Sequence, residues 1–273
     1  MKQSVIISTY NQPLWLQKAL HGYLFQTFKD FEIIIADDGS DERTKEVIDA
    51  FRQKADFPVK HCWHADEGYR RQTILNQTLL EAAHDYIIMT DGDCIPREDF
   101  LAVHATEARP GHFLSGGYCK LPMDLSLHLS LDDIASGRAF DTGYLRDHGL
   151  KEFSPSFKTS LPVPLGPLMD KIIPTKPTWN NCNASGWKSD LIAVNGFNED
   201  MQYGGADREL GERLANYGVT GLQIRHQAIV LHLDHKRGYK TPETMKKNMA
   251  IREAVIASGS TWCPNGIKKD LPS

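Results

Sequence analysis

The chain has 273 residues, of which 41% are hydrophobic and 24% are charged, and its formal net charge is −4. These values are typical of a globular protein with one large or two small domains, and they exclude a generally disordered chain. The small net negative charge disfavours electrostatic binding to the phosphates of nucleic acid, so no nucleic-acid partner is expected.

The apolar runs are too short to cross a bilayer, which needs about 20 apolar residues. The longest are 5–7 and 33–36. The N-terminus lacks the basic-then-apolar layout of a signal peptide. The five cysteines contain no C-x-x-C pair, which favours reduced thiols. We therefore expect a cytoplasmic protein without a transmembrane segment.

Strand and helix signals alternate through the first half of the chain. Uncharged, β-branched runs predict buried strands at 4–9 and 31–36, and further strands are predicted at 59–63 and 86–90. Apolar residues at helical spacing predict helices at 14–26, 41–53 and 71–83. This alternation predicts right-handed crossovers and a mainly parallel α/β sheet flanked by helices.

The second half is less regular. Residues 121–178 hold seven prolines and few periodic runs, which predicts long loops with short helices. A helix is predicted at 207–217, followed by a strand at 224–233 and a helix at 242–257. About the last 15 residues are expected to form a tail.

Polar residues follow three of the predicted strands, at 9–11, 37–39 and 91–93. Because ligands bind at the carboxyl ends of parallel strands, these groups are expected to converge on one edge. Asp91 and Asp93 can share a hard divalent cation, and Gly92 allows a close backbone approach. The alternative is a solvated turn, since D-x-D is common by chance.

A second set of candidate ligands lies far downstream, at His232 and His235. Two histidines three residues apart at a strand end can reach one ion, although usually only one does. The alternative is that both are surface or packing residues. Asp93 with either imidazole would give a mixed oxygen–nitrogen site, which suits Mn²⁺ or Mg²⁺.

Segments 5–11, 26–28 and 31–40, with the D-x-D at 91–93, resemble the nucleotide-binding half of inverting family 2 glycosyltransferases. The match spans about residues 4–101. It implies a GT-A fold in one continuous domain. Its nucleotide-sugar-binding half would be 1–115, its irregular acceptor-binding and catalytic-base half 116–240, and its C-terminal helix and tail 241–273.

Segments 179–186, 195–199 and 202–210 resemble the carboxyl-terminal part of β-1,4-galactosyltransferases and chondroitin-polymerase-type enzymes. In that pattern Asp207 matches the catalytic base, and His235 is the closer counterpart of a metal ligand. Ala206 departs from the pattern, because glutamate is usual there. Without the resemblance Asp207 could be a plain helix cap, and Glu209 is the competing carboxylate.

The resemblance also implies roles in binding a UDP-sugar. Asp38 would accept from the uracil N3–H, and Tyr10 would lie against the base. An arginine would meet the nucleotide, with Arg70 the candidate and Arg71 the competitor. The other donor-site candidates are Ser8, Thr9, Asp91 and Gly92. The candidates for contacts with acceptor or sugar are Trp179, Asn183, Tyr203 and Gly205, and Lys236 and Arg237 are candidates for the diphosphate.

The implied activity is metal-dependent, inverting transfer of a sugar from a nucleotide-diphosphate donor to a hydroxyl of a glycan or lipid-linked glycan acceptor. Bacterial polysaccharide or lipopolysaccharide synthesis is the expected setting, and such acceptors allow peripheral attachment at the inner face of the membrane. A sugar-1-phosphate nucleotidyltransferase is disfavoured, because 10–13 replaces the expected glycine-rich basic loop. A catalytically impaired nucleotide-sugar-binding protein is a further alternative, which Ala206 leaves open.

Overall fold

A computed structural model describes residues 1–151, 158–159, 161, 163–173, 175–236 and 241–269. Its centre is a mixed eight-stranded sheet in the order β3-β2-β1-β4-β7-β6-β8-β5. The strands are β1 (Gln3–Thr9), β2 (Phe31–Asp37), β3 (Val59–Trp63), β4 (Tyr86–Asp91), β5 (Cys94–Pro96), β6 (His112–Lys120), β7 (Ala184–Trp187) and β8 (Thr220–His232).

The helices flank this sheet, and two short 3₁₀ turns at Arg138–Phe140 and Val163–Leu165 interrupt the irregular half. The helices are α1 (Pro13–Tyr23), α2 (Glu42–Arg52), α3 (Arg71–Glu81), α4 (Phe100–Glu107), α5 (Met123–His128), α6 (Leu131–Ala135), α7 (Thr142–Asp147), α8 (Gly166–Ile172), α9 (Lys188–Ala193), α10 (Ala206–Asn216) and α11 (Pro242–Ser258).

The parallel half of the sheet follows the predicted alternation. β1 pairs in parallel with both β2 and β4, and β2 pairs in parallel with β3. β1 and β2 are buried along their whole length because helices cover both faces. Val5 packs into one apolar cluster and Ile6 into the other, as the two-residue period of a strand requires. The GT-A-type α/β architecture is therefore confirmed.

The other half of the sheet is mixed and was largely missed by the sequence analysis. β7 runs antiparallel to β4 and β6, whereas β6 and β8 run parallel. β6 contains Gly116 and Gly117 at a register shift. A Cβ on Gly116 would lie 2.0 Å from Asn183 Oδ1, so only glycine fits beneath that buried side chain.

The short helices expected within 121–178 are present as α5 to α8. Residues 152–157, 160, 162 and 174 of that segment lie outside the described residues, as do 237–240 and 270–273. The tail prediction is wrong for 260–269, because these residues pack against the domain. Asn195 Nδ2 donates to Cys263 O at 2.6 Å and to Lys268 O at 2.8 Å, and Cys263 is buried.

All five cysteines lie in the described part of the chain and are free thiols, as expected. No helix among the described residues is both long enough and apolar enough to span a bilayer.

Candidate active site

A cleft of about 580 Å³ opens at the carboxyl ends of β1 and β4 and faces the start of α10. The register of the parallel strands explains why: Ser8 pairs with Asp91, and Thr9 pairs with Asp37. Most of the site residues expected from the sequence line this one cleft. They are Ser8, Thr9, Tyr10, Asp38, Asp91, Gly92, Asp93, Tyr203, Gly205, Asp207, His232 and His235.

The floor of the cleft is a hydrogen-bonded group formed by Ser8, Asp91 and Arg71. Ser8 Oγ donates to Asp91 Oδ1 at 2.8 Å, and Arg71 Nη2 donates to Ser8 Oγ at 2.8 Å and also to Asp91. Of the two arginines considered from the sequence, Arg71 lines the cleft, whereas the side chain of Arg70 pairs with Glu67.

Asp38 lies at the end of β2 with both carboxylate oxygens engaged. His64 Nε2 lies 2.8 Å from Oδ1, and the backbone N–H of Arg70 donates to Oδ2 at 3.1 Å. Burial raises the pKa of Asp38, and these two hydrogen bonds lower it by less. The N-cap of α2 is Asp41, which accepts from Arg43 N at 3.2 Å.

The distant acidic and histidine motifs meet at the pairing of β5 with β8, where Cys94 lies opposite His232. Asp93 Oδ2 is 3.1 Å from His235 Nε2, and the imidazoles of His232 and His235 stack with ring centroids 5.9 Å apart. Burial favours the neutral form of Asp93, but the hydrogen bond and charge of His235 and the charge of His232 outweigh it, so the pKa of Asp93 is lowered.

A divalent cation fits this group of side chains. Ligand atoms of Asp93, Cys94 and His232 all lie within 4.8 Å of one another, and His235 is in contact with Asp93. One carboxylate and two imidazoles form a mixed oxygen–nitrogen donor set of the kind that Mn²⁺ accepts. Gly92 precedes the group, and a Cβ there would lie 3.1 Å from Ser8 O. Cys94 was not expected in this group, because nothing in its spacing marks it as a ligand.

Asp207 lines the same cleft and is half-buried, in the first turn of α10. Gly204 and Gly205 precede the helix with φ of +106° and +89°, which allows the chain to turn sharply into it. Burial raises the pKa of Asp207. The backbone N–H of Arg208 and the charge of Arg71 oppose that increase, and the charge of Asp91 adds to it. A carboxylate with a raised pKa is suited to accept a proton.

Glu209 does not compete with Asp207 for the cleft. It is 1% exposed, and it receives two hydrogen bonds of 2.8 Å from the fully buried guanidinium of Arg213. Glu209 and Arg213 therefore form a buried structural ion pair. Ala206, at the position where the related pattern has glutamate, lines the cleft.

Two residues expected to contact sugar do not line the described cleft. Trp179 is fully buried and packs against Phe113 with ring centroids 5.7 Å apart. Asn183 is also fully buried, and its Nδ2 donates to the carbonyls of Gly117 and Ala228 at 2.8 and 3.0 Å. Asn183 directly precedes β7, and Trp179 lies in the loop before that strand.

Several cleft residues were not expected from the sequence. Tyr118 and Lys120 come from β6, and Asn180, Asn181 and Cys182 come from the loop before β7. The asparagine pair lay inside a segment already singled out by its resemblance, whereas β6 carried no such signal. Tyr10 is 45% exposed and donates to Asp66 Oδ2 at 2.8 Å. Arg237 lies outside the described residues.

Residues 4–116 match the family model described as glycosyl transferase family 2. Validoxylamine A glucosyltransferase of Streptomyces hygroscopicus subsp. jinggangensis is 27% identical over 251 residues, covering 87% of this chain and 56% of that protein. Chondroitin synthase of Pasteurella multocida is 31% identical over 105 residues, covering 38% of this chain and 11% of that protein. The chain thus spans about half the length of the first of these relatives.

Solved structures of similar fold support the architecture. Staphylococcus aureus TarS 1–349 in complex with UDP superposes with a TM-score of 0.60 at 17% identity, covering 93% of this chain and 65% of that one. The mannosyltransferase PcManGT from Pyrobaculum calidifontis, in complex with GDP-Man and Mn²⁺, gives a TM-score of 0.58 at 17% identity and covers 93% and 69%. At this identity the likeness concerns the fold.

Proposed function

We propose that the chain is a glycosyltransferase of family 2, whose model residues 4–116 match, and that it transfers a sugar, with inversion, from a UDP-sugar to a hydroxyl of a glycan acceptor. One observation carries the proposal. Asp93 and His235 are in contact, and both line the same cleft as Asp207. Cation ligands and a proton acceptor therefore face one space large enough for a nucleotide sugar.

The donor would lie along the strand ends. Ser8, Thr9 and Asp38, which line the cleft, would meet the nucleoside, and the exposed ring of Tyr10 would lie against the base. Arg71, rather than Arg70, supplies positive charge beside Asp91. UDP as the nucleotide is supported by the fold relative TarS, whose structure holds UDP.

Asp93 and His235, with His232 beside them, would hold Mn²⁺ or Mg²⁺. When bound, such a cation supplies Lewis-acid stabilisation of the negative charge on a diphosphate leaving group. The PcManGT structure, which contains Mn²⁺, supports this choice of ion. The protein's own part here is to fix one carboxylate and two imidazoles at the end of the β5–β8 pair.

Asp207 would act as the general base. Its carboxylate takes the proton of the acceptor hydroxyl while that oxygen attacks the anomeric carbon. The bond from the anomeric carbon to the diphosphate oxygen breaks, and UDP leaves with the electron pair. Attack from the face opposite the leaving group inverts the anomeric centre, and no covalent enzyme intermediate forms.

The acceptor would be a sugar of a growing polysaccharide or lipopolysaccharide, free or lipid-linked. The similarity to chondroitin synthase over part of the chain supports a glycan acceptor. A lipid-linked acceptor would bring the reaction to the inner face of the membrane from the cytoplasm.

The test is UDP release from a panel of UDP-sugars with Mn²⁺ and glycan acceptors, comparing wild type with Asp207→Asn. We expect Asp207→Asn to lower transfer at least 100-fold, since general-base catalysis contributes about 10²–10⁴-fold. Donor affinity should change less than about threefold. Asp124→Asn, at an exposed carboxylate on α5, is the matched control and should transfer normally. Normal transfer by Asp207→Asn would refute the base assignment. Lack of turnover of any donor by wild type would favour an impaired binding protein.

A further inference from the structure

Asn181 is a nearly buried polar residue in the wall of the cleft. Its side chain is 3% exposed, yet it lines the cavity. Asn181 Oδ1 accepts a hydrogen bond of 2.8 Å from the indole Nε1–H of Trp179. Trp179 is itself fixed, because it is fully buried and a Cβ on Gly211 of α10 would lie only 2.8 Å from it.

The indole determines which way the Asn181 amide points. The oxygen and nitrogen of an asparagine amide look alike, and their assignment normally depends on the surrounding hydrogen bonds. An indole N–H can only donate, so the group facing Trp179 must be the amide oxygen. The NH₂ group of Asn181 is then on the other side, toward the cleft. This NH₂ group has no hydrogen-bond partner among the described residues, and it is not completely shielded from solvent.

Asn181 also lies between the two functional sides of the site. The next residue, Cys182, accepts a hydrogen bond of 3.1 Å through its carbonyl from Thr90 Oγ1, one residue before Asp91. On its other side Trp179 packs beneath α10, whose first turn carries Asp207. Asn181 is therefore built into the loop that joins the strand-end carboxylates to the proposed base.

The cleft wall is rich in carboxylates, so a side chain that donates a hydrogen bond there has a use in binding a ligand. Asp38, Asp91, Asp93 and Asp207 all line the cleft, and ionised carboxylates can only accept hydrogen bonds. A nucleotide sugar presents many oxygens that need donors. A neutral donor whose rotamer is already locked loses little entropy on binding such an oxygen.

We propose that Asn181 Nδ2 donates a hydrogen bond to an oxygen of the nucleotide-sugar donor, on its sugar or its diphosphate, and that Trp179 is the positioning residue that orients this amide. The assignment rests on the proposed function. It also gives Trp179 a role different from the direct sugar contact expected from the sequence.

The first test is the affinity of Asn181→Asp for UDP and for UDP-glucose, measured by titration calorimetry with Mn²⁺. This change keeps an oxygen for Trp179 and replaces the NH₂ by a carboxyl oxygen, and the melting temperature is measured beside it because burying an added carboxyl lowers stability. We expect at least tenfold weaker binding of UDP-glucose. A matching loss for UDP would place the contact on the diphosphate, and unchanged UDP binding would place it on the sugar.

Asn216→Asp is the matched control, because that asparagine is a surface residue of α10 whose amide donates to Ser260 O at 2.9 Å. It should bind both probes as wild type does. The assignment is overturned if Asn181→Asp and Asn181→Ala both bind UDP-glucose like wild type. A wild type that binds neither probe would overturn the proposed UDP-sugar function, and this assignment with it, so the two failures are distinguishable.

The positioning role is tested by combining variants. Trp179→Phe keeps an aromatic ring in the core but removes the N–H, so the Asn181 amide is free to rotate. We expect it to weaken UDP-glucose binding about threefold in wild type and to have no further effect in Asn181→Ala. A purely structural tryptophan would weaken binding equally in both backgrounds, and that result would contradict the positioning role even if the melting temperature falls.

Discussion

The ion pair between Glu209 and Arg213 anchors the helix that carries Asp207, and its removal should be costly. Arg213 is fully buried and Glu209 is 1% exposed. Arg213 also donates to Gly196 O at 2.6 Å and to Val194 O. In Arg213→Met the Glu209 carboxylate remains buried without its partner, and two carbonyls lose a donor.

The size of the effect follows from the burial of the pair. Removing one partner of a buried ion pair costs about 3–5 kcal/mol. The unfolding entropy is about 2.1 cal/mol/K per residue, or about 0.6 kcal/mol/K for 273 residues. The melting temperature of Arg213→Met should therefore fall by about 5–9 °C in differential scanning calorimetry.

Arg52→Met is the matched control, because Arg52 pairs with Asp49 on α2 and the two side chains are 38% and 39% exposed. An exposed pair contributes at most about 1 kcal/mol, so the melting temperature should fall by less than about 2 °C. Combining Glu209→Leu with Arg213→Met should recover at least half of the loss, since apolar residues can replace a buried pair. A melting temperature of Arg213→Met within about 2 °C of wild type would show that the buried pair is not important for stability. A double variant no more stable than Arg213→Met would contradict the proposed cost of the unpaired Glu209.

Three further predictions concern the site and its support. In the pH profile of kcat, the acid limb should lie above pH ~4, the ordinary carboxyl range, because burial raises the pKa of Asp207 and only its deprotonated form accepts a proton. Arg71→Gln should move that limb to higher pH, because the charge of Arg71 lowers the pKa of Asp207. A shift to lower pH would contradict the assignment of Asp207 as the base. His235→Ala should weaken Mn²⁺ binding at least tenfold in calorimetric titrations, since even the loss of an outer-shell partner costs about 10–100-fold, and unchanged affinity would exclude it as a ligand. Gly116→Ala should lower the free energy of unfolding by about 1–3 kcal/mol in urea titrations, because its Cβ would lie 2.0 Å from Asn183 Oδ1. A stability equal to that of wild type would contradict the tight packing of Gly116 against Asn183.

The parallel half of the fold was predictable because its strands are buried on both faces. Such strands consist of β-branched runs, as at Ile33–Ile35, and their ends carry the polar residues that form the cleft. β7 was missed because its sequence, Ala184–Trp187, contains small residues and no β-branched one. Its identity as a strand comes from pairing with β4 and β6, which no local pattern reveals.

The sequence predicted which motifs form the site, but not which way individual side chains point. The sequence placed Asp93 near His235, and the pairing of β5 with β8 brings them to 3.1 Å. It did not distinguish Arg70 from Arg71, because neighbouring residues at a helix start point to different sides. It also assigned Trp179 to the cleft surface, whereas tertiary packing buries it and presents Asn181 instead.

The central claim is that one cation, held by Asp93 and His235, couples the protein to the donor diphosphate. The most direct measurement is the affinity of the wild type for UDP by titration calorimetry, in Mn²⁺ and in EDTA, alongside Asp93→Ala. We predict at least tenfold tighter binding with Mn²⁺ and no such difference in Asp93→Ala. Equal affinity of the wild type for UDP in Mn²⁺ and in EDTA would contradict the account.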